Sequence, residues 1–208
     1  MPKVRETDIL HEAGDYWVKR VARGFEVYRN GLTHAVRVAS VGDGPGPRLG
    51  IERAKAEADR LYATDFVATA QRIATEAHAG QTRAFGPQAG QPYIIHPTAV
   101  AGRFQDDPVK QAIGWLHDTV EDTAKTDHPV TFDDLRAAGL PEEVVTGVDA
   151  MTRRQGEAYH DFVVRCSRHP HARHVKLADL GDNMATLPEG HGLRKRYVKA
   201  LVLLAEAE

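Results

Sequence analysis

The sequence predicts a mainly α protein, a helical bundle preceded by a small N-terminal three-stranded β-meander plus helix. Three observations carry that prediction. From Thr64 onward, apolar residues recur at helical spacing. Before residue 50 they fall instead in short β-rich runs separated by turn dipeptides. Between the two patterns lies Gly42-Asp43-Gly44-Pro45-Gly46-Pro47, a stretch that neither a helix nor a strand crosses.

The β-rich runs cover residues 16–21, 25–29 and 33–41. Arg23-Gly24 separates the first two; Asn30-Gly31, a dipeptide suited to a type I′ hairpin, separates the second from the third. A helix over residues 51–62 completes an appendage of residues 1–62, and residues 63–208 form the main domain. There Asp65 is placed to cap a helix that buries Phe66, Ala70, Ile73, Ala74 and Ala77, and Gly80 ends it. Pro97 suits the first turn of the next helix. Asp107-Pro108 starts another, with Ala112, Ile113, Leu116 and Val120 inward. Thr131 and Asp134 have the spacing of a capping box. Further helices are expected over residues 141–151, 157–168, 171–184 and 193–207.

Composition sets the outer bounds. The 208 residues are 42% hydrophobic and 27% charged, a balance that excludes a disordered, collagenous or disulfide-stapled chain. The longest apolar run, residues 200–205, is far shorter than the roughly 20 residues of a membrane helix. The charged start MPKVRETDILHEAG lacks the apolar centre of a signal peptide. A single cysteine, Cys166, makes no internal disulfide, and a reducing cytoplasm is the expected location. A net charge of −2 argues against a protein that coats nucleic acid. Residues 1–50 carry eight basic and six acidic side chains, too weak a bias to name a partner for the appendage, and a packing role is expected for it.

Eleven histidines direct attention to metal or phosphate chemistry. Of two His-Asp dipeptides, His160-Asp161 stands without acidic partners and reads as a half-exposed helix face. His117-Asp118 lies in HDTVED, with Glu121 and Asp122 about one turn further on. That many acids on one short segment call for a cation. Two residues on other elements fit: His96, at a helix start in PYIIHP, and Asp179, a carboxylate among the apolar neighbours Val175, Leu177 and Ala178. Two imidazoles and two carboxylates, completed by water, suit Mn²⁺ or Fe²⁺ better than a closed structural zinc site. Elsewhere, His78 reads as a helix C-terminal residue favoured by the dipole. His169, His171 and His174 read as solvated around Pro170, and Cys166 as a small helix residue.

These segments, AHAGQTRAFG with PYIIHPTAVAGRF, AIGWLHDTVEDT and VKLADLGDNMATL, resemble the hydrolase domain of the RelA/SpoT-type alarmone enzymes, members of the HD phosphohydrolase superfamily. The resemblance covers about residues 65–205 and implies an HD-domain helical bundle. It implies His96, His117, Asp118 and Asp179 as metal ligands, usually for Mn²⁺, with Fe²⁺ or Zn²⁺ open. It assigns Glu121 and Asp122 to the attacking water and Arg83 to stacking on the purine. Asn183 would hold the nucleoside, with Thr186 and Tyr93 lining the pocket. Lys176 either balances a diphosphate or extends from a buried helix toward water. The implied reaction removes the 3′-pyrophosphate from a purine alarmone such as ppGpp.

Two departures bear on the substrate. Where the family usually has Arg-Leu-His-Asn after the last ligand, this chain has Leu180-Gly181-Asp182-Asn183, and a position often basic is Ala84. Both lower the positive charge expected near the pocket. They leave open ppApp, a phosphatase acting on NADPH or a nucleoside 3′-phosphate, and a nucleotide-binding sensor without turnover. With nothing after Glu208, the expected activity is hydrolysis without synthesis.

Overall fold

The computed structural model describes residues 8–31 and 34–206. Thr33 and Ala207, where the sequence reading begins a strand and ends a helix, lie outside the described residues. The chain divides into two compact units, Met1–Asp65 and Phe66–Glu208.

In the first unit, among the described residues, an antiparallel sheet runs in the order β1 (Ile9–Ala13), β2 (Tyr16–Val21), β3 (Gly24–Asn30) and β4 (Ala35–Val41). The meander therefore has four strands and not the expected three. The additional strand, β1, turns Ile9, His11 and Ala13 to its more buried side. A histidine in the middle of that set breaks the apolar alternation by which a strand is read from sequence. In β2 and β3, Val18 sits opposite Val27, and Tyr16, Val18, Phe25 and Val27 pack on Ala54 and Ala58 of helix α1 (Pro47–Ala77). Trp17 and Tyr28, one position off that set, stack at 4.4 Å between centroids.

The sequence divides α1 into two helices with Asp65 capping the second; the structure has one helix of 31 residues. No glycine or proline interrupts it between Tyr62 and Phe66. Asp65 accepts instead from the Tyr16 hydroxyl at 2.8 Å and pairs with Arg29 at 2.9 Å, leaving no cap to start a new helix. Pro47 occupies the first turn, where its missing N–H costs nothing.

The second unit continues through α2 (Ile95–Ala101), α3 (Pro108–Leu116), α4 (Thr119–Thr123), α5 (Phe132–Ala137), α6 (Glu142–Met151), α7 (Tyr159–Ser167), α8 (Ala172–Thr186) and α9 (Leu193–Glu206). Local capping explains several starts. Asp107 accepts the Lys110 N–H ahead of α3, and Thr131 and Asp134 form the reciprocal box ahead of α5. Val100, Ile113, Leu116, Val144, Val148 and Val175 are fully buried, and Phe162, Val163, Leu180, Ala200 and Leu204 form a second cluster. Close contact between α2 and α3 depends on Gly114, where an added Cβ would lie 2.9 Å from the Ala101 Cα. Cys166 is buried with its Sγ 3.5 Å from Met151 Sδ, and burial pushes its thiol pKa up to about 12, that of an unreactive packing group. No helix among the described residues is long and apolar enough to cross a membrane.

Arg165 closes the connection between α6 and α7. Its guanidinium holds the Glu157 carboxylate at 2.9 Å and also donates to the carbonyls of Asp149, Ala150 and Thr152. Arg165→Met is expected to lower unfolding free energy by about 2 kcal/mol in urea titrations, because several part-buried acceptors lose their donor. The hydrogen bond from Arg165 holds the Glu157 carboxyl down to about 2, against an ordinary 4.5. Its contribution is therefore present above about pH 4.5 and fades as pH falls toward 2, and the gap between wild type and variant should narrow over that window.

Candidate metal centre and its cleft

Each proposed ligand is delivered by a local feature. His96 is the second residue of α2, with Pro97 fixing the backbone after it. His117 and Asp118 occupy a break in the chain between α3 and α4, where the sequence predicted an unbroken helix. The break has a consequence. On a regular helix adjacent side chains point about 100° apart, whereas here His117 Nε2 and Asp118 Oδ2 approach to 3.0 Å. Asp179 lies in the middle of α8, nearly inaccessible to solvent.

The donor atoms converge. His96 Nε2 lies 3.2 Å from His117 Nε2, 3.1 Å from Asp179 Oδ1 and 3.7 Å from Asp118 Oδ2; His117 Nε2 lies 3.7 Å from Asp179 Oδ1. Among the described residues, His96, His117 and Asp118 form a group whose ligand atoms all lie within 4.8 Å of one another. The far side of each imidazole is occupied. His117 Nδ1–H donates to the Gly114 carbonyl at 2.9 Å, and His96 Nδ1–H to Asp182 Oδ2 at 2.6 Å. With Nδ1 protonated on both rings, both Nε2 atoms turn lone pairs toward two carboxylates. A divalent cation satisfies such a donor set, with second-row acceptors fixing each ring.

The ionisation equilibria carry the same demand for positive charge. Burial opposes a proton on His96, yet the Asp179 and Asp182 carboxylates outweigh it and raise its pKa to about 9. His117 is likewise raised, against burial, by Asp118. Asp118 and Asp179 are held below the usual carboxylate range: burial works against their charge, while His117 at Asp118 and Lys176 at Asp179 prevail.

Two residues of the centre, Asp118 and Asp179, line a cleft of ≈ 340 Å³, with His96 and His117 buried. Tyr93 lines it and donates its hydroxyl to Asp118 Oδ2 at 2.5 Å. Arg83 is buried in the cleft wall. It donates to Thr186 Oγ1 at 2.9 Å and approaches Asp182 and Asn183, each at 3.4 Å. Asn183 in turn donates to Asp179 Oδ1 at 2.6 Å. The loop carrying Arg83 sits tightly on the end of α8: Gly86, at φ +72°, would place a Cβ 1.6 Å from the Thr186 carbonyl oxygen.

The acidic pair separates. Glu121 lines the cleft, its Oε2 accepting the Arg153 N–H at 3.0 Å. Asp122 points elsewhere, 3.8 Å from His78 Nδ1; burial, then the charges of Asp118 and Glu121, raise its pKa to about 7. His78 does stand at the C-terminal end of α1, its N–H donating to the Ala74 carbonyl at 3.0 Å, but it is not exposed there. It is buried, bonded to Gln81 Oε1 at 2.9 Å, and burial lowers its pKa. Lys176 is nearly buried and lines the cleft, its ammonium donating to Asp179 Oδ2 at 2.8 Å. His169, His171 and His174 are not simply solvated: His169 Nδ1 accepts the N–H groups of His171 and Ala172 at the start of α8, His171 meets Glu143, and His174 meets the Pro170 carbonyl. His160 and Asp161 are exposed on α7. Sequence reasoning missed Arg153, Tyr159 and Arg196 in the cleft wall, and Asp182 behind His96. Only Asp182 had a usable signal, three residues from Asp179 on one helix.

These donors on a helical scaffold place the second unit among HD-type domains. No protein-family model matches the chain. It is 32% identical over 179 residues to a GTP pyrophosphokinase of Streptomyces antibioticus, covering 81% of this chain and 19% of that protein. Over 141 residues it is 34% identical to a guanosine-3′,5′-bis(diphosphate) 3′-pyrophosphohydrolase of Vibrio cholerae, covering 61% of this chain and 18% of that protein. Over 124 residues it is 33% identical to the bifunctional (p)ppGpp synthase/hydrolase RelA of Mycobacterium tuberculosis, covering 57% and 15%. A solved structure of a metazoan ortholog of SpoT, described as hydrolysing ppGpp, matches with a TM-score of 0.52 and 20% identity over 69% of this chain and 87% of that one, a likeness of fold. The chain is of the RelA/SpoT type. It spans less than a fifth of the length of the three curated relatives compared above, which carry both synthase and hydrolase names.

Asp118→Asn keeps the shape of the side chain and removes its charge. It is expected to weaken Mn²⁺ binding by at least about 100-fold in isothermal titration, whereas Glu121→Gln changes it by less than about 3-fold, since a carboxylate that ligates the ion contributes its charge directly and a neighbouring one does not.

Proposed function

We propose that this chain is a Mn²⁺-dependent phosphohydrolase that removes the 3′-pyrophosphate from a purine alarmone such as ppGpp, giving GDP and pyrophosphate. The observation that carries the reading is the convergence of His96, His117, Asp118 and Asp179, the two carboxylates opening onto a cleft lined by arginines. Those four side chains would hold the ion. The chemistry such an ion supplies is Lewis acidity toward water and phosphoryl oxygen.

The chain's own residues divide the remaining work. Glu121, steadied by the Arg153 N–H, takes the proton of the attacking water as its oxygen bonds to the phosphorus next to the ribose 3′-oxygen. The bond between that phosphorus and the 3′-oxygen breaks, and the 3′-oxygen leaves as a hydroxyl by taking a proton from solvent, to which Glu121 returns the proton it received. Asp122, the next residue, supports the geometry of this segment from outside the cleft, beside His78. Arg83, its plane fixed by Thr186 and Asp182, offers a guanidinium face to the purine, a contact of on the order of 0.5–2 kcal/mol. Asn183 and Thr186 line the nucleoside end of the cleft, and Arg153 and Arg196 contribute positive charge for the phosphates. The cleft volume lies within the range of small-molecule sites, about 300–1,000 Å³.

The test is anion-exchange chromatography of ppGpp, pppGpp and ppApp incubated with the protein and Mn²⁺. Pyrophosphate release is expected, with ppGpp against ppApp setting the base preference. Release of no pyrophosphate from any of the three overturns the reading, and inorganic phosphate as the product redirects it to a phosphatase. Glu121→Gln should lower kcat about 10²–10⁴-fold while Mn²⁺ still binds.

A further inference from the structure

Asp182 stands where the family resemblance expects histidine, and the reaction just described uses it only to steady Arg83. Its Oδ2 takes two donors at once: the His96 Nδ1–H at 2.6 Å and, at 3.4 Å, the Arg83 guanidinium. Both donors are buried, and the Asp182 side chain is 14% exposed. We propose that Asp182 is a positioning residue that holds His96 in its metal-binding tautomer and joins it to Arg83, so that cation and nucleotide bind cooperatively. The inference deepens the reading above and rests on it.

An imidazole ligates a metal through an unprotonated nitrogen, so His96 must keep its proton on Nδ1 if Nε2 is to face the centre. A carboxylate behind the ring enforces that tautomer and makes Nε2 more basic. At His117 the same place is taken by the Gly114 carbonyl, an uncharged and weaker acceptor. Asp182 differs further in being shared. From Arg83 the contacts pass through Asp182 to His96, on to Asp179 Oδ1 at 3.1 Å, then to Asn183 at 2.6 Å and back to Arg83 at 3.4 Å. In this closed circuit Arg83 and His96 draw on one oxygen. A purine stacked on the Arg83 face needs that guanidinium plane held, and a cation on His96 needs its ring held; the same Asp182 oxygen does both, so the ligand that binds first orders the carboxylate for the second. Histidine at position 182 has no negative charge to share in this way.

Mn²⁺ titrations of the full chain, with and without GDP as nucleotide probe, test the assignment. Asp182→Ala is expected to weaken Mn²⁺ binding about 10–100-fold. Asp182→Asn, whose amide oxygen still accepts from Nδ1–H, should recover much of that loss. GDP should tighten Mn²⁺ binding in wild type and not in Asp182→Ala. An Asp182→Ala protein that is folded by circular dichroism and binds Mn²⁺ as wild type does overturns the proposal; if that variant does not fold, an Asp182→Asn variant indistinguishable from wild type with and without GDP does so. A wild-type Mn²⁺ affinity indifferent to GDP overturns the link to Arg83. Wild-type protein that takes up no Mn²⁺ overturns the functional reading as well. Protein that binds Mn²⁺ and leaves all three alarmones intact overturns only the functional reading.

Discussion

Two imidazole Nε2 atoms 3.2 Å apart, on rings whose Nδ1 protons are held by acceptors behind them, cannot rest against two carboxylates in a buried site without positive charge between them. Most of the second unit's polar architecture follows from that constraint. A proton on His96 partly meets it, and so its pKa lies near 9. A proton, however, bonds one donor to one acceptor, and four donor atoms drawn from α2, the α3–α4 break and α8 surround this point. A divalent ion meets all of them together.

The constraint is met by irregularity placed on regular elements. The break at His117-Asp118 turns two successive side chains toward one point, and the small residue Gly114 lets α3 approach α2 while lending its carbonyl to His117. On α8 the stripe Lys176, Asp179, Asp182, Asn183 and Thr186 does the reverse: a regular helix lines up, at intervals of three and four, residues that reach two ligands and Arg83. Lys176 is the local counter-ion that makes a buried Asp179 tolerable. Its ammonium also lies over the Phe162 ring, 4.9 Å from the centroid, at the wall of the cleft.

The helices of the second unit were legible because their ends are written locally. The Thr131–Asp134 box and the Asp107 cap are short-range signals, and both occur as read. The continuity of α1 was not legible, because Asp65 has the sequence of a cap and loses that role to Tyr16 and Arg29, partners more than thirty residues away. β1 was missed because His11 takes an apolar position. At the site, the unusual residues were visible one by one, and their grouping by motif puts together side chains whose donor atoms do converge. What a linear reading could not supply is the contact between elements: Arg153 on Glu121, and Asp122 turned toward His78 and away from the cleft. Asp182 illustrates the limit. Seen as a departure from a basic pattern, it suggested only lost positive charge, whereas in space it completes His96.

That loss of charge is also answered elsewhere. Arg153 and Arg196 line the cleft beside Arg83, each from a different segment, so the wall facing a polyphosphate remains cationic although Leu180 and Ala84 replace basic residues. The floor is the opposite. Asp118, Asp179 and Glu121 would repel a phosphate chain, and Lys176 and Arg83 are already bonded to acceptors. A polyanion therefore meets attraction at the rim and repulsion at the reacting end until a divalent ion reverses the sign of the floor. For the reaction proposed above, substrate binding at the reacting phosphate and metal binding would thus be one electrostatic event in this cleft, whereas a purine on Arg83 and the α8 stripe would engage without the ion.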